Sequence, residues 1–197
     1  MELSIWIPKG GTGKTMLATT LAGYLAEQGA RVLVVDQDPQ SGSLVWARRA
    51  ARAGQDTPFV VAAARSRGFD IVLYDHAPVP PQGGLPGQLV IMPTLLDGTT
   101  HPLYMRGKQI LEERLHPFVV VPSRVRPDRS EQRQLLGCAF AGLPIVRDRA
   151  IYPNAYGRGL TIYSQDLKLP HAALARAEFD LVAQHILGQL KEVRHAA

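Results

Sequence analysis

Cysteine is almost missing from this chain. The lone Cys138 cannot close an internal disulfide, and its setting in the apolar run "LLGCAFAGL" predicts a buried thiol in a reducing compartment. No apolar run approaches the roughly 20 residues that span a bilayer, and no signal peptide is visible, because a glycine-rich segment begins within the first ten residues. Internal repeats and dividing linkers are lacking too. The 197 residues therefore read as a single domain, 1–197, long enough to bury a core without metal or disulfide support. Lysine is scarce: 17 of the 22 basic residues are arginine. Acidic groups run short only in the second half, where 14 basic residues face 9 acidic ones, against 8 and 8 in residues 1–100. Such a half suits a solvated surface in an arginine-writing genome. It equally suits a surface for phosphate backbones, because the guanidinium is a planar fork that stays charged.

What is present alternates between strand and helix. "LSIWI" (3–7) is a short apolar run feeding a glycine turn, and "KTMLATTLAGYLAEQG" has helical spacing, with Leu17, Leu21, Tyr24 and Leu25 on one face and Gly29 as a stop. "RVLVVD" (31–36) is near-continuously apolar, as in strands buried on both faces of a parallel sheet. "DIVLYD" (70–75), "QLVIMP" (88–93) and "PFVVVP" (117–122) are further strands, and "LPIV" (143–146) is a last short one. Helices are expected at about 43–53, 102–115, 129–139 and 171–194. On the last, Leu174, Phe179, Leu181, Val182, Ile186, Leu187, Leu190 and Val193 form the apolar face. Proline- and glycine-rich connections fall at 78–87 and 153–160. The first follows a strand carboxyl end, where the loops of an open α/β sheet meet ligand. The expectation is an α/β domain around a mostly parallel central sheet.

The segment "WIPKGGTGKTM" (6–16) carries the chemistry. Gly13, Lys14 and Thr15 complete the P-loop pattern G-x-x-x-x-G-K-[ST], but its first glycine falls on Pro8. What stands there is P-K-G-G-T-G-K-T, a strand end passing through Gly10, Gly11 and Gly13 into a helix. Glycines let backbone N–H groups converge on phosphate oxygens, and the helix amino terminus adds partial positive charge. Gly10, Gly11, Thr12, Gly13, Lys14, Thr15 and Met16 are thus the expected nucleotide-binding residues. Lys14 would reach the β- and γ-phosphates and the Thr15 hydroxyl would ligate Mg²⁺. One lysine is enough to hold a phosphate, so the pattern leaves Lys9 without a role. Downstream, Asp36 and Asp38 of "VVDQDPQ" leave a strand end on the same side.

The glycine turn resembles the deviant Walker A motif of the ParA/MinD family, P-loop ATPases that position plasmids, chromosomes and other cell cargo. "VVDQDPQSGSLVWA" is similar to the family's second motif, "FDIVLYDHAP" to its Walker B strand, and "IVRDRAIYPNAYGRGLTIYS" to its late stretch, where an Arg-containing turn and a short helix lead to a Gly-rich loop, so that the resemblance covers about residues 1–190. It implies a three-layer P-loop NTPase fold with helices on both sides of the sheet, and ATP with Mg²⁺ as cofactors. It also implies that Lys9 crosses a dimer interface to phosphates bound by a second copy, so that ATP becomes the switch for dimerisation. Carried across residue by residue, Lys9, Lys14 and Asp38 are catalytic, with Asp38 activating the attacking water, while Thr15, Asp36 and Asp75 serve the metal. Ser123 and Arg124 stand where relatives approach the adenine. Two departures matter. Met16 replaces a common Thr or Ser, removing a hydroxyl, and His76 follows the Walker B aspartate as a bystander.

MinD-like members bind lipid through a basic amphipathic C-terminal helix, whereas the tail "KEVRHAA" offers no cluster of basic and large apolar groups, so membrane docking is not expected. ParA-like members bind DNA without sequence preference, which the arginine-rich second half suits. Arg147, Arg149, Arg158, Lys168 and Arg176 are the candidate DNA contacts. No helix-turn-helix precedes the P-loop, as in the short form of the family. The resemblance thus implies a cytoplasmic ATPase, slow without its partner and nucleoid-associated when ATP-bound, that partitions a cargo with a ParB-like or other adaptor. Two rivals share the scaffold. A metallochaperone or reductase would want a pair of cysteines at the dimer seam. A small-molecule ATP-dependent enzyme would want a substrate pocket, for which the 78–87 loop leaves room.

Overall fold

The computed structural model describes residues 1–80 and 83–196. Six strands run in chain order as β1 (Glu2–Ile5), β2 (Val32–Gln37), β3 (Val60–Ala62), β4 (Ile71–His76), β5 (Leu89–Thr94) and β6 (Phe118–Pro122). They form one sheet in the order β3-β2-β4-β1-β5-β6, with every pairing parallel. Parallel neighbours demand crossovers, and the helices supply them: α1 (Lys14–Glu27), α2 (Gly42–Arg52), α3 (His101–Glu113), α4 (Ser130–Gly137), α5 (Ile151–Gly157) and α6 (Ala172–Ala196). α1, α2, α5 and α6 pack on one face of the sheet through Leu3, Ile5, Leu73 and Ile91. α3 covers the other face over Trp6, Val90 and Met92, and α4 lies beside it. The strands read as unbroken apolar runs because both faces are covered; β4 and β5 are buried at every residue.

α1 ends as its sequence predicts. Gly29 adopts φ 87°, its N–H bonds the Ala26 carbonyl, and the Ala30 N–H reaches back to Leu25. This is a Schellman cap, a conformation that costs a side-chain-bearing residue but not glycine. Leu17, Leu21, Tyr24 and Leu25 face the core as expected, but the rest of 18–23 is buried as well. The outer side of α1 is roofed by residues 161–163, with Gly23 against the Thr161 side chain.

Four local expectations are corrected. Residues 143–146 form no strand; they run as a single extended piece held to β6 by the Val146 N–H on the Pro122 carbonyl. Part of the connection at 153–160 is the helix α5. Its Pro153 sits in the first turn, where no N–H is required, so the proline opens the helix instead of breaking it. Cys138 is exposed, because α4 ends there and the buried place passes to Phe140. On α6, Phe179, Val182, Ile186 and Leu190 are buried, whereas Leu174 and Leu181 point outward at 48% and 60% exposure. The three-residue edge strand β3 is too short to have left a periodic signal. Of the expected loop at 78–87, residues 81 and 82 lie outside the described residues.

Candidate nucleotide site

The site lies at the carboxyl ends of β1, β2 and β4. After β1 the chain makes a tight turn about Pro8, with the Lys9 N–H on the Ile7 carbonyl at 2.7 Å. Pro8 itself leans on α3, where a Cβ at Gly107 would lie 2.7 Å from its ring. That contact explains a proline where the ordinary pattern has glycine. Gly11 and Gly13 then take φ 76° and 93°, and α1 begins at Lys14 with the Gly13 carbonyl accepting its first bond. Built Cβ atoms at Gly10 and Gly11 would meet nothing within 4 Å, so these peptides stand open to whatever approaches them.

Lys14 and Lys9 differ in role. The Lys14 side chain is buried, and its ammonium donates to the Lys9 carbonyl at 3.0 Å. Burial lowers its pKa, while Asp75 and Asp38 pull the other way. Lys9 is half-buried, and among the described residues its ammonium makes no hydrogen bond or ion pair. The cleft before the loop, about 670 Å³, is lined by Gly10, Gly11, Gly13, Lys14, Thr15, Met16 and Asp38 but not by Lys9. Thr12 is wholly buried with an unpartnered hydroxyl.

Asp36 and Asp75 are register partners on β2 and β4. Asp36 spends both oxygens on backbone: Oδ1 accepts from the Asp38 N–H at 3.1 Å and Oδ2 from the Leu44 N–H at 2.8 Å. It thereby holds the turn carrying Asp38 against the start of α2. Asp38 lies on the cleft wall, its Oδ1 accepting from the Gln40 N–H at 2.9 Å. Asp75 is fully buried. One of its oxygens accepts from the Ser43 hydroxyl at 2.7 Å, and the other has no partner. Burial raises its pKa to about 6, offset in part by the Ser43 and Thr15 hydroxyls and by Lys14. An unpartnered, desolvated carboxylate oxygen beside the Thr15 hydroxyl suits a hard divalent cation. With the open glycine peptides and the Lys14 ammonium, these donors fit a magnesium-bound triphosphate.

His76 turns to the opposite face of β4. The Ser4 hydroxyl donates to the Pro86 carbonyl, so the His76 Nε2–H must donate to Ser4 Oγ, 2.9 Å away. That bond keeps a proton on Nε2, and burial, reinforced by Lys14, favours the neutral ring by depressing its pKa to about 4.

A second compartment of about 410 Å³ adjoins the first through Gly13, Thr15, Met16 and Arg124. Arg147, Asp148, Arg149, Tyr152, Pro153 and Tyr156 form its remaining walls. Of the residues expected near the base, Arg124 lines both compartments, while Ser123 is buried and bonds the Val121 carbonyl. The five basic candidates divide. Arg149 forks onto Glu178 at 2.6 and 2.7 Å, Arg147 reaches the same carboxylate at 3.2 Å, and Arg176 bonds the Ile162 and Ser164 carbonyls and faces Glu27. Arg158 and Lys168 are exposed, with no ion pair among the described residues.

Gly42, Ser43, Tyr152 and Tyr156 were not foreseen. The Ser at the second residue of α2 and the i, i+4 tyrosines of α5 are the only traces they leave in the sequence.

A family model for the CobQ/CobB/MinD/ParA nucleotide binding domain matches residues 3–162. The maintenance of carboxysome distribution protein A of Gloeobacter kilaueensis is 40% identical over 77 residues, 36% of this chain and 35% of that protein, so the match spans about a third of that relative's length. Among solved structures, the MinC:MinD cell division protein complex of Aquifex aeolicus matches with TM-score 0.72 at 16% identity over 95% of this chain and 96% of that one. A plasmid partition protein of Borrelia burgdorferi B31 bound to AMPPNP gives 0.69 at 12% identity over 93% and 98%. At these identities the structural likeness establishes the fold, a MinD/ParA-like P-loop NTPase.

Proposed function

Since the chain belongs to the CobQ/CobB/MinD/ParA nucleotide-binding family, we propose that residues 1–197 form one ATPase domain that pairs with a second copy when it holds ATP, binds DNA without sequence preference, and positions a cargo through an adaptor that stimulates hydrolysis. The observation that carries this reading is the unequal treatment of the two lysines. Lys14 turns into its own loop, whereas Lys9 has no internal partner among the described residues and does not line its own cleft. A free ammonium beside a phosphate loop gains most from an anion brought by another molecule. Its attraction rewards association when triphosphate is present and offers little otherwise.

The chain's own residues then divide the work. The glycine peptides, with the Thr12 backbone among them, and Lys14 hold the phosphates, and the Thr15 hydroxyl flanks them. Magnesium, held at Thr15 and Asp75, would neutralise charge on the transferred phosphoryl group. Asp36 fixes the turn, and Asp38 orients the attacking water from the cleft wall. Most of the catalytic power is positional, so a partner that steadies the Asp38 turn raises the rate, and the isolated protein hydrolyses slowly. Arg158 and Lys168 are the basic side chains best suited to DNA, since the other three already face acids. Arg147 and Arg149 also border the 410 Å³ compartment, which in this reading receives the nucleoside beyond the phosphates.

The test is a gel shift on random-sequence duplex with ATP, with ADP and with neither, alongside light scattering. Binding and a doubled mass with ATP alone support the reading. No DNA binding in any nucleotide state would turn attention to a small-molecule ATP-dependent enzyme.

A further inference from the structure

The turn that carries Asp38 is held to the ends of β2 and β4 by Asp36, which accepts from the Asp38 and Leu44 N–H groups, and by the Ser43 hydroxyl on Asp75. One tie comes from elsewhere. The Tyr156 hydroxyl, on α5, donates to the Gly42 carbonyl at 2.6 Å, across 114 positions of chain. Gly42 is the first residue of α2, and it lies so close to α1 that a Cβ there would be 2.8 Å from Thr15 Oγ1. The residue before it, Ser41, is held at φ 52°, a conformation that persists only where surrounding contacts over-determine it.

The rest of the segment makes the same connection. The Arg49 guanidinium lies over the Tyr156 ring, 5.3 Å from its centroid. Gly159 packs against the Ala50 backbone so closely that a Cβ would fall 2.3 Å from its nitrogen. The Trp46 indole donates to the Leu160 carbonyl at 3.1 Å. Residues 156–160 and α2 are therefore one packed body. Tyr156 also forms a wall of the 410 Å³ compartment beside the loop. Burial raises its phenol pKa, with Arg49 opposing and Asp75 and Asp36 adding to the rise.

We propose that Tyr156 is a positioning residue, tying the wall of the nucleoside compartment to the turn that bears Asp38, so that filling this compartment steadies the water-orienting carboxylate. The proposal rests on the nucleotide reading given above. It makes the base and sugar contribute to turnover as well as to affinity, as expected where remote binding energy orders a reacting group.

The experiment compares the whole wild-type chain with Tyr156→Phe, which keeps the ring and its stack on Arg49 but removes the donor. ATP titrations give kcat and KM separately, and hydrogen exchange follows the amides of Gln40–Val45 with and without a non-hydrolysable ATP analogue. The expected result is a kcat about five- to tenfold lower with KM within about twofold. Nucleotide should protect the 40–45 amides in the wild type but less in the variant, with phosphate-loop protection unchanged. Equal kcat and equal protection would overturn the proposal while leaving the ATPase reading intact. Loss of thermal stability with kcat unchanged would reduce Tyr156 to a packing residue. A wild-type chain that shows no phosphate-loop protection by nucleotide would overturn both readings at once.

Discussion

Asp75 and His76 are neighbours in sequence whose linkages to pH oppose each other. Asp75 is raised from 3.8 to about 6 by burial, so the native state binds its proton more tightly than the unfolded chain does. Its contribution to stability is fully present below about pH 4 and is lost as pH rises through 6. His76 is lowered from 6.5 to about 4, so its contribution is present above 6.5 and is lost as pH falls through 4. Each is on the order of 3 kcal/mol, and between pH 4 and 6.5 they largely cancel. In metal- and nucleotide-free protein, Asp75→Asn leaves the histidine linkage alone, and the urea midpoint should fall more steeply on acidification than in the wild type. His76→Gln leaves the aspartate alone and should tilt the profile the other way. Parallel profiles for the two variants would mean that neither group is buried as described. At pH 7 Asp75→Asn should also stabilise the apo protein while abolishing magnesium-dependent nucleotide binding, because a desolvated carboxylate oxygen has been exchanged for a neutral amide.

At the scale of elements, glycines decide how closely the helices approach. Gly42→Ala would drive a Cβ into the Thr15 side chain, at 2.8 Å from Oγ1 and 3.0 Å from Cγ2, separating α2 from α1 at the phosphate loop. Thr15 is a short β-branched side chain with a stiff first torsion, so it yields only by leaving its place at the phosphate loop. We therefore expect a loss of nucleotide affinity of about tenfold or more in a fluorescent-nucleotide titration, with the global unfolding midpoint moved less. Gly159→Ala meets backbone atoms of Ala50 at 2.3 and 2.4 Å and carries φ 69°, so it should cost about 3 kcal/mol or more of unfolding free energy. Gly157→Ala two residues earlier is the control. A Cβ there meets nothing within 4 Å, and alanine is the better helix former, so its unfolding midpoint should equal or exceed that of the wild type. Equal midpoints for the two alanine variants would refute the packing of 156–160 on α2.

At the scale of the molecule, the predictions concern a second copy and a polyanion. Lys9→Ala should bind ATP with little loss, since its ammonium makes no bond to the described residues of its own chain, yet remain monomeric in light scattering with ATP. A variant that still doubles its mass would remove the role given to this lysine. DNA affinity of the ATP-bound wild type should fall steeply with salt, as counterion release requires. Replacing Arg158 and Lys168 together by alanine should shallow the log–log salt slope by about 2 per subunit. An unchanged slope would move the DNA surface elsewhere among the arginines. The described residues contain no helix long and apolar enough to cross a membrane.

The sequence by itself determined the mostly parallel sheet, the order of its main strands and helices along the chain, and the phosphate loop. These depend on local matters: apolar runs that only doubly covered strands tolerate, glycines at turns with positive φ, and carboxylates at the ends of β2 and β4. It also singled out Lys9, because two lysines in one turn exceed what one triphosphate needs. Tertiary structure alone decided the rest. β3 was hidden because three residues carry no period, and although the resemblance implied a short helix in the late stretch, its bounds were hidden because Pro153 looks like a breaker until its place in the first turn is known. Cys138 and Leu181 were misjudged because apolar neighbours in sequence do not say which side a helix end or face will present. Gly42, Ser43 and Tyr156 reach the site across 32 to 114 residues of chain. Such contacts exist only once α1, α2 and α5 are packed together, and no spacing along the chain encodes them.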